Sequence, residues 1–185
     1  MDEWIDLKTR ELQKIEQIRS RLWLGHMAVM VGAGFSRNAT RVDETLPMPP
    51  DWHGLAVALA QTLYPDRNFD QIVAQKTPLE LAEEFVSIRG RDALDTFLRE
   101  SIDDENLSPG KLFNQFFNLP WTEVLTTNYD TLLEKATENV IRRRFQVVRT
   151  ADDLIESESP RIVKLHGSID CKVRHLVFTE EDYRR

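Results

Sequence analysis

Three short stretches of this chain set reactive or ligand-handling groups directly behind apolar runs. They are Met30-Val31-Gly32-Ala33-Gly34-Phe35-Ser36, Val124-Leu125-Thr126-Thr127-Asn128-Tyr129-Asp130 and Ile162-Val163-Lys164-Leu165-His166-Gly167-Ser168. Gly32 and Gly34 permit a tight turn whose backbone can approach a pyrophosphate, a charge favoured by the N–H groups of a following helix. The amide of Asn128 carries donors and an acceptor and can orient a hydroxyl or a water, with Asp130 in support. An unperturbed imidazole titrates near about 6.5, so His166 can both take and release a proton close to neutral pH. Each group also has a plain structural role: a turn for the glycines, a helix cap for Asn128 or Asp130, a satisfied polar residue at a strand end for His166.

Several chemistries are excluded. A dinucleotide-binding dehydrogenase needs a third glycine three residues after Gly34, where Arg37 stands, and no Gly-Lys-Ser/Thr phosphate loop is present. Cys171 is the sole cysteine, so neither a disulfide framework nor a Cys-rich zinc site can be built within the chain. His26, His53 and His175 lack metal-ligand spacing, so no metal is assigned.

The elements that must position these groups follow from periodicity. From Glu3 to Leu24, Ile5, Leu12, Ile15, Ile18 and Leu22 recur at helical spacing with charged residues between them, and Gly25 is a stop signal. This amphipathic helix, residues 1–25, is expected to pack on its own domain. Ala28 to Val31 reads as a short strand buried on both faces. Pro47, Pro49 and Pro50 keep the segment from Asn38 to Pro50 irregular. Residues 51–118 read as a helical insertion: Trp52, Leu55, Ala56, Leu59 and Leu63 share a face, Thr77-Pro78-Leu79-Glu80 is a capping box with proline at the first helical position, and Ser108-Pro109 signals another helix start. The strand ending at Thr127 leads into a helix predicted from Thr131 to Arg143, with Leu132, Leu133, Ala136 and Val140 inward. The run Arg142-Arg143-Arg144 would then complement that helix's dipole. Phe145 to Val148 and Arg161 to Leu165 are further strands, with a turn or short helix from Ala151 to Ser157.

Strands alternating with helices predict an α/β fold: a Rossmann-like parallel sheet with helices on both faces and a helical insertion after the first motif strand. Residues 26–185 would form this domain. In such sheets, groups at the carboxyl ends of the strands converge on one crevice.

The three motifs, in this order, resemble the sirtuin family, in particular its NAD-hydrolysing branch in bacterial anti-phage defence, from about Val29 to Tyr183. The resemblance implies that NAD is the substrate, with Asn128 and His166 catalytic and His166 the base. It implies that Gly32, Ala33, Gly34, Phe35, Ser36, Thr127, Asp130, Gly167 and Ser168 bind the dinucleotide. It also implies a mobile loop over the nicotinamide side, here Asn38 to Pro50. Sirtuin deacylases carry a zinc ribbon with two cysteine pairs, for which this chain lacks the residues, and that favours the hydrolase. A late Gly/Ser motif for the adenosine half is also lacking, and the chain is expected to be a fragment of a longer one. The readings left open are a protein deacylase or ADP-ribosyl transferase, and a non-catalytic NAD or ADP-ribose-sensing assembly module. A homo-oligomer, and a phage-sensing domain or partner, belong to the same expectation.

Composition agrees with a globular enzyme-sized domain. With 185 residues, 41% hydrophobic and 30% charged, the chain can bury one core. Net charge of −7 argues against direct nucleic-acid contact, which depends on Lys and Arg at phosphates. No apolar run approaches the roughly 20 residues that span a bilayer, and the acidic start lacks a signal-peptide pattern, so no membrane contact and a cytoplasmic location are expected.

Overall fold

In the computed structural model, residues 2–172 and 175–184 are described, with side chains in the first helix from Thr9 onward. Ile5 of the predicted apolar stripe therefore lies outside the described side chains. Helix α1 (Asp2–Trp23) ends where expected: His26 N–H reaches back to Arg21 O at 2.9 Å and Gly25 N–H to Leu22 O at 3.0 Å, the two reverse bonds of a glycine-terminated helix. Its packing differs from expectation. Leu22 is buried, but Leu12, Ile15 and Ile18 are 62%, 59% and 51% exposed.

Strand β1 (Ala28–Val31) is followed by the single-turn helix α2 (Ala33–Ser36) and the short strand β2 (Thr40–Arg41). The insertion then supplies α3 (Trp52–Leu63), α4 (Phe69–Gln75), α5 (Pro78–Arg89) and α6 (Arg91–Ser101). Next come β3 (Leu107–Ser108), antiparallel to β2, and α7 (Lys111–Phe117). The chain returns to the sheet with β4 (Glu123–Thr126), α8 (Leu132–Thr137), β5 (Gln146–Val148), α9 (Ala151–Glu156) and β6 (Arg161–Lys164), then ends in α10 (Glu180–Arg184). The four main strands are parallel in the order β1-β4-β6-β5. This is the predicted Rossmann-like α/β arrangement with its helical insertion.

Register decides the site. Val31 pairs with Thr126, and Thr126 with Lys164, so β1, β4 and β6 end at one level on adjacent strands. The residues after each strand, which carry the three motifs, therefore emerge side by side.

Two apolar clusters hold this frame. One joins the sheet to α7 and α8 through Val31, Phe113, Phe117, Val124, Leu132, Leu133 and Ile162. The other fills the insertion with Leu59, Leu81, Leu94 and Leu98 and continues into Tyr129, Leu176 and Phe178. Local signals support both. Thr77 Oγ1 accepts the Glu80 N–H while the Glu80 carboxylate accepts the Thr77 N–H, the predicted capping box, with Pro78 opening α5.

Three expectations are corrected. β1 is an edge strand and Met30 is 61% exposed, so it is not covered on both faces. Helix α8 stops at Thr137 instead of Arg143. The Thr137 hydroxyl bonds back to Glu134 O, and the chain turns so that the Arg143 guanidinium can donate to Phe117 O at 3.2 Å. The arginine thus satisfies carbonyls at the end of α7, not of its own helix. Helix α7 is capped at Gly110 and not at Ser108, because Leu107 and Ser108 are engaged in pairing with β2. Gly110 has a specific reason: a Cβ there would lie 2.2 Å from Asn38 O.

Candidate active site

At the end of β1, the Phe35 N–H donates to Gly32 O at 2.8 Å and closes the turn. A Cβ at Gly32 or Gly34 would meet nothing within 4 Å, so these glycines leave open room beside the turn. Phe35 also holds the turn in place. Its ring packs edge-on against Phe113 at 4.6 Å and beside Phe116 at 4.9 Å, anchoring α2 to α7.

At the end of β4, the Asn128 N–H donates to the fully buried Thr126 hydroxyl at 3.0 Å. The side-chain amide nitrogen of Asn128 then donates to Gly32 O at 3.1 Å and to Ser36 Oγ at 2.8 Å. Ser36 Oγ in turn donates to Asp130 Oδ2 at 2.6 Å, and Asp130 Oδ1 accepts the Leu132 N–H at 3.2 Å. Asp130 therefore both caps α8 and supports the site. These bonds fix the amide's orientation and leave Asn128 Oδ1 buried without a hydrogen-bond partner. A buried orphan acceptor costs free energy until a donor reaches it.

Behind this layer, the fully buried Lys164 ammonium donates to Asp130 O and lies 3.3 Å from Glu134 Oε1. That contact is an ion pair without hydrogen-bond geometry, since both Glu134 oxygens lack such a partner. Burial pushes the Glu134 carboxyl above its ordinary range, opposed by the Lys164 charge. Asp104 binds the Thr131 hydroxyl at 3.0 Å and the Lys135 ammonium at 3.0 Å, which pins the start of α8 to the insertion.

At the end of β6, the His166 ring sits edge-on to Tyr183 at 5.2 Å and 6.2 Å from the ring of Tyr129. Tyr129 is itself fixed by donating to Val177 O at 2.6 Å. Burial holds the His166 imidazole below its ordinary value of 6.5, since removal from water disfavours the charged ring. Burial thus favours the neutral form of the ring.

These groups share one cavity of about 860 Å³, within the size range of small-molecule sites. Ala33, Gly34, Ser36, Thr127, Asn128, Asp130 and His166 line it. Gly32, Phe35, Gly167 and Ser168 stand outside the lining described. Gly167 adopts φ +85°, and a Cβ there would press on Leu176 at 3.2 Å. Ser168 is fully buried behind it.

The cavity is also lined by Met48, Pro49 and Pro50, which belong to the loop expected over the nicotinamide side, and by Arg37, Asp51, Trp52, His53, Leu55 and Ile102, which sequence reasoning did not place at a site. Trp52, placed by its spacing on the same face as Leu55 and Leu59, is 41% exposed and stacks on Phe178 with ring centroids 5.1 Å apart. The signal was there in part. Asp51 caps α3 by accepting the Gly54 N–H, so the Pro-rich segment had to end at the insertion's first helix.

The domain is thus a parallel α/β fold in which a glycine turn, an Asn/Asp pair and a histidine from the ends of neighbouring strands border one cavity. Residues 122–185 match the family model of the SIR2-like domain. The matched stretch runs from β4 to α10 and contains both Asn128 and His166. No curated protein matches the chain. Among the described residues, no group of three or more His, Cys, Asp or Glu side chains could hold a metal ion, and no helix is long and apolar enough to cross a membrane.

Proposed function

We propose that this domain is an NAD+ glycohydrolase that cleaves the nicotinamide–ribose bond to give nicotinamide and ADP-ribose. One observation carries the reading: Asn128, with its unpartnered Oδ1, and His166, its neutral form favoured by burial, line the same cavity beside a glycine turn with room for a ligand.

Nicotinamide in NAD+ is a cationic leaving group, so the C1′–N bond breaks with its electron pair moving to the ring nitrogen, and no general acid is required. A water then forms the new bond to C1′ of an oxocarbenium-like ribose. Asn128 Oδ1 accepts from that water or from a ribose hydroxyl and so sets its direction. His166 takes the proton that the water or hydroxyl gives up, and its lowered proton affinity lets the proton pass on to solvent. Ser36 and Asp130 hold the Asn128 amide in register.

The wider role proposed is a toxic effector that depletes NAD+ during phage infection, acting as a homo-oligomer coupled to a sensor. The exposed Leu12, Ile15 and Ile18 on α1 support self-association.

Nicotinamide release from NAD+ by the purified chain tests the reaction. Release that requires an added acyl-lysine peptide would instead identify a deacylase, and ADP-ribose binding without release would identify a sensing module.

A further inference from the structure

The backbone N–H groups of the turn after β1 carry no net charge and so do not by themselves neutralise a diphosphate. Helix α2 is four residues long, so little dipole accumulates at its start, and its Phe35 N–H is already given to Gly32 O. The neighbouring hydroxyl is also committed, since Ser36 donates to Asp130. Among the described lining residues, Asp51 and Asp130 are carboxylates, and Arg37 is the one guanidinium or ammonium group.

Arg37 Nη2 donates to Asp51 Oδ2 at 2.8 Å, with the two side chains 70% and 53% exposed. An ion pair this exposed contributes little in water, so Arg37 can change partner at small cost. Asp51 keeps a role after such an exchange, because its other oxygen, Oδ1, accepts the Gly54 N–H at 3.0 Å and caps α3. A diphosphate offers two negative charges and oxygens spaced for the planar guanidinium fork, which a single exposed carboxylate does not match as well.

We propose that Arg37 is the diphosphate-binding residue of this cavity, exchanged from Asp51 to the ligand, so that the site selects diphosphate-linked dinucleotides over phosphate-free nucleosides. This rests on the NAD+ reading and adds to it the residue that recognises the ligand's charge.

The test is the calorimetric Kd of ADP-ribose for the wild-type chain and for Arg37→Ala, Arg37→Lys and Asp51→Asn, with thermal melts to check folding. Asparagine retains the cap but removes the charge that competes for Arg37. Arg37→Ala should weaken ADP-ribose at least tenfold, Arg37→Lys should fall between, and Asp51→Asn should tighten it severalfold. In turnover, Arg37→Ala should raise KM for NAD+ and leave kcat within about twofold. Unchanged ADP-ribose affinity in Arg37→Ala, or weakening in Asp51→Asn, overturns the assignment while nicotinamide release by the wild type keeps the enzymatic reading. A wild-type chain that neither binds ADP-ribose nor releases nicotinamide removes both.

Discussion

The side-chain amide of Asn128 and the hydroxyl of Ser36 meet at 2.8 Å although 92 positions separate them in the chain. This bond fastens the turn after β1 to the end of β4, and it commits the amide nitrogen while the amide oxygen is left without a partner.

Ser36→Ala removes the acceptor from Asn128 and the donor from Asp130 together. Nicotinamide release should fall about 10- to 100-fold, and urea unfolding should show a loss of about 1–3 kcal/mol, the cost of leaving buried polar groups unsatisfied. Wild-type turnover would show that Ser36 does not hold the amide.

The pH profile follows from His166. Its folded pKa lies below the ordinary 6.5, so the neutral base persists on the alkaline side and is lost only as pH falls through that lowered value. kcat/KM should therefore be flat at neutral pH and drop on an acid limb below about pH 6.5 that His166→Ala abolishes. Stability has the same sign: the unfolded imidazole binds the proton more tightly, so this contribution is full above 6.5 and is lost on acidification. An acid limb centred above 6.5 would contradict the role of burial.

Gly167→Ala forces a side chain into a left-handed backbone conformation and against Leu176. About 1–2 kcal/mol of destabilisation is expected from the strain alone. Because His166 is the preceding residue, activity should fall more than a stability loss of that size explains. Melting temperature and kcat measured together separate the two effects.

Lys164 and Glu134 form a buried pair with side chains 0% and 12% exposed. Lys164→Met strands the carboxylate and should cost about 3–5 kcal/mol near neutral pH, whereas removing both charges in Lys164→Met/Glu134→Leu should recover much of that. Chemical denaturation of the single and double variants checks it; a double variant as unstable as the single would show that the bond to Asp130 O, and not the pair, is what matters.

The sheet was legible because β1, β4 and β6 are apolar runs broken by polar residues, and the insertion because Thr77-Pro78-Leu79-Glu80 and the spacing of Leu55, Leu59 and Leu81 read directly as helices. That Asn128, Asp130 and His166 border one cavity was legible for the same reason, since each lies just past a strand end. What escaped depends on distant neighbours. Phe35 looked like part of a ligand loop, yet its surroundings are set by Phe113 and Phe116 far along the chain. Trp52 sits at a helical position compatible with core, and its stacking on Phe178 could not be read from spacing. The length of α8 was overestimated because Arg143 is drawn to carbonyls of α7, a tertiary preference that no local propensity contains.

The most direct measurement compares nicotinamide release from NAD+ by the purified wild-type chain with that by Asn128→Ala and His166→Ala, each verified as folded. Release by the wild type, lowered about 10²- to 10⁴-fold in both variants, is the expected result. Comparable release by all three proteins would contradict a reaction centred on these two side chains.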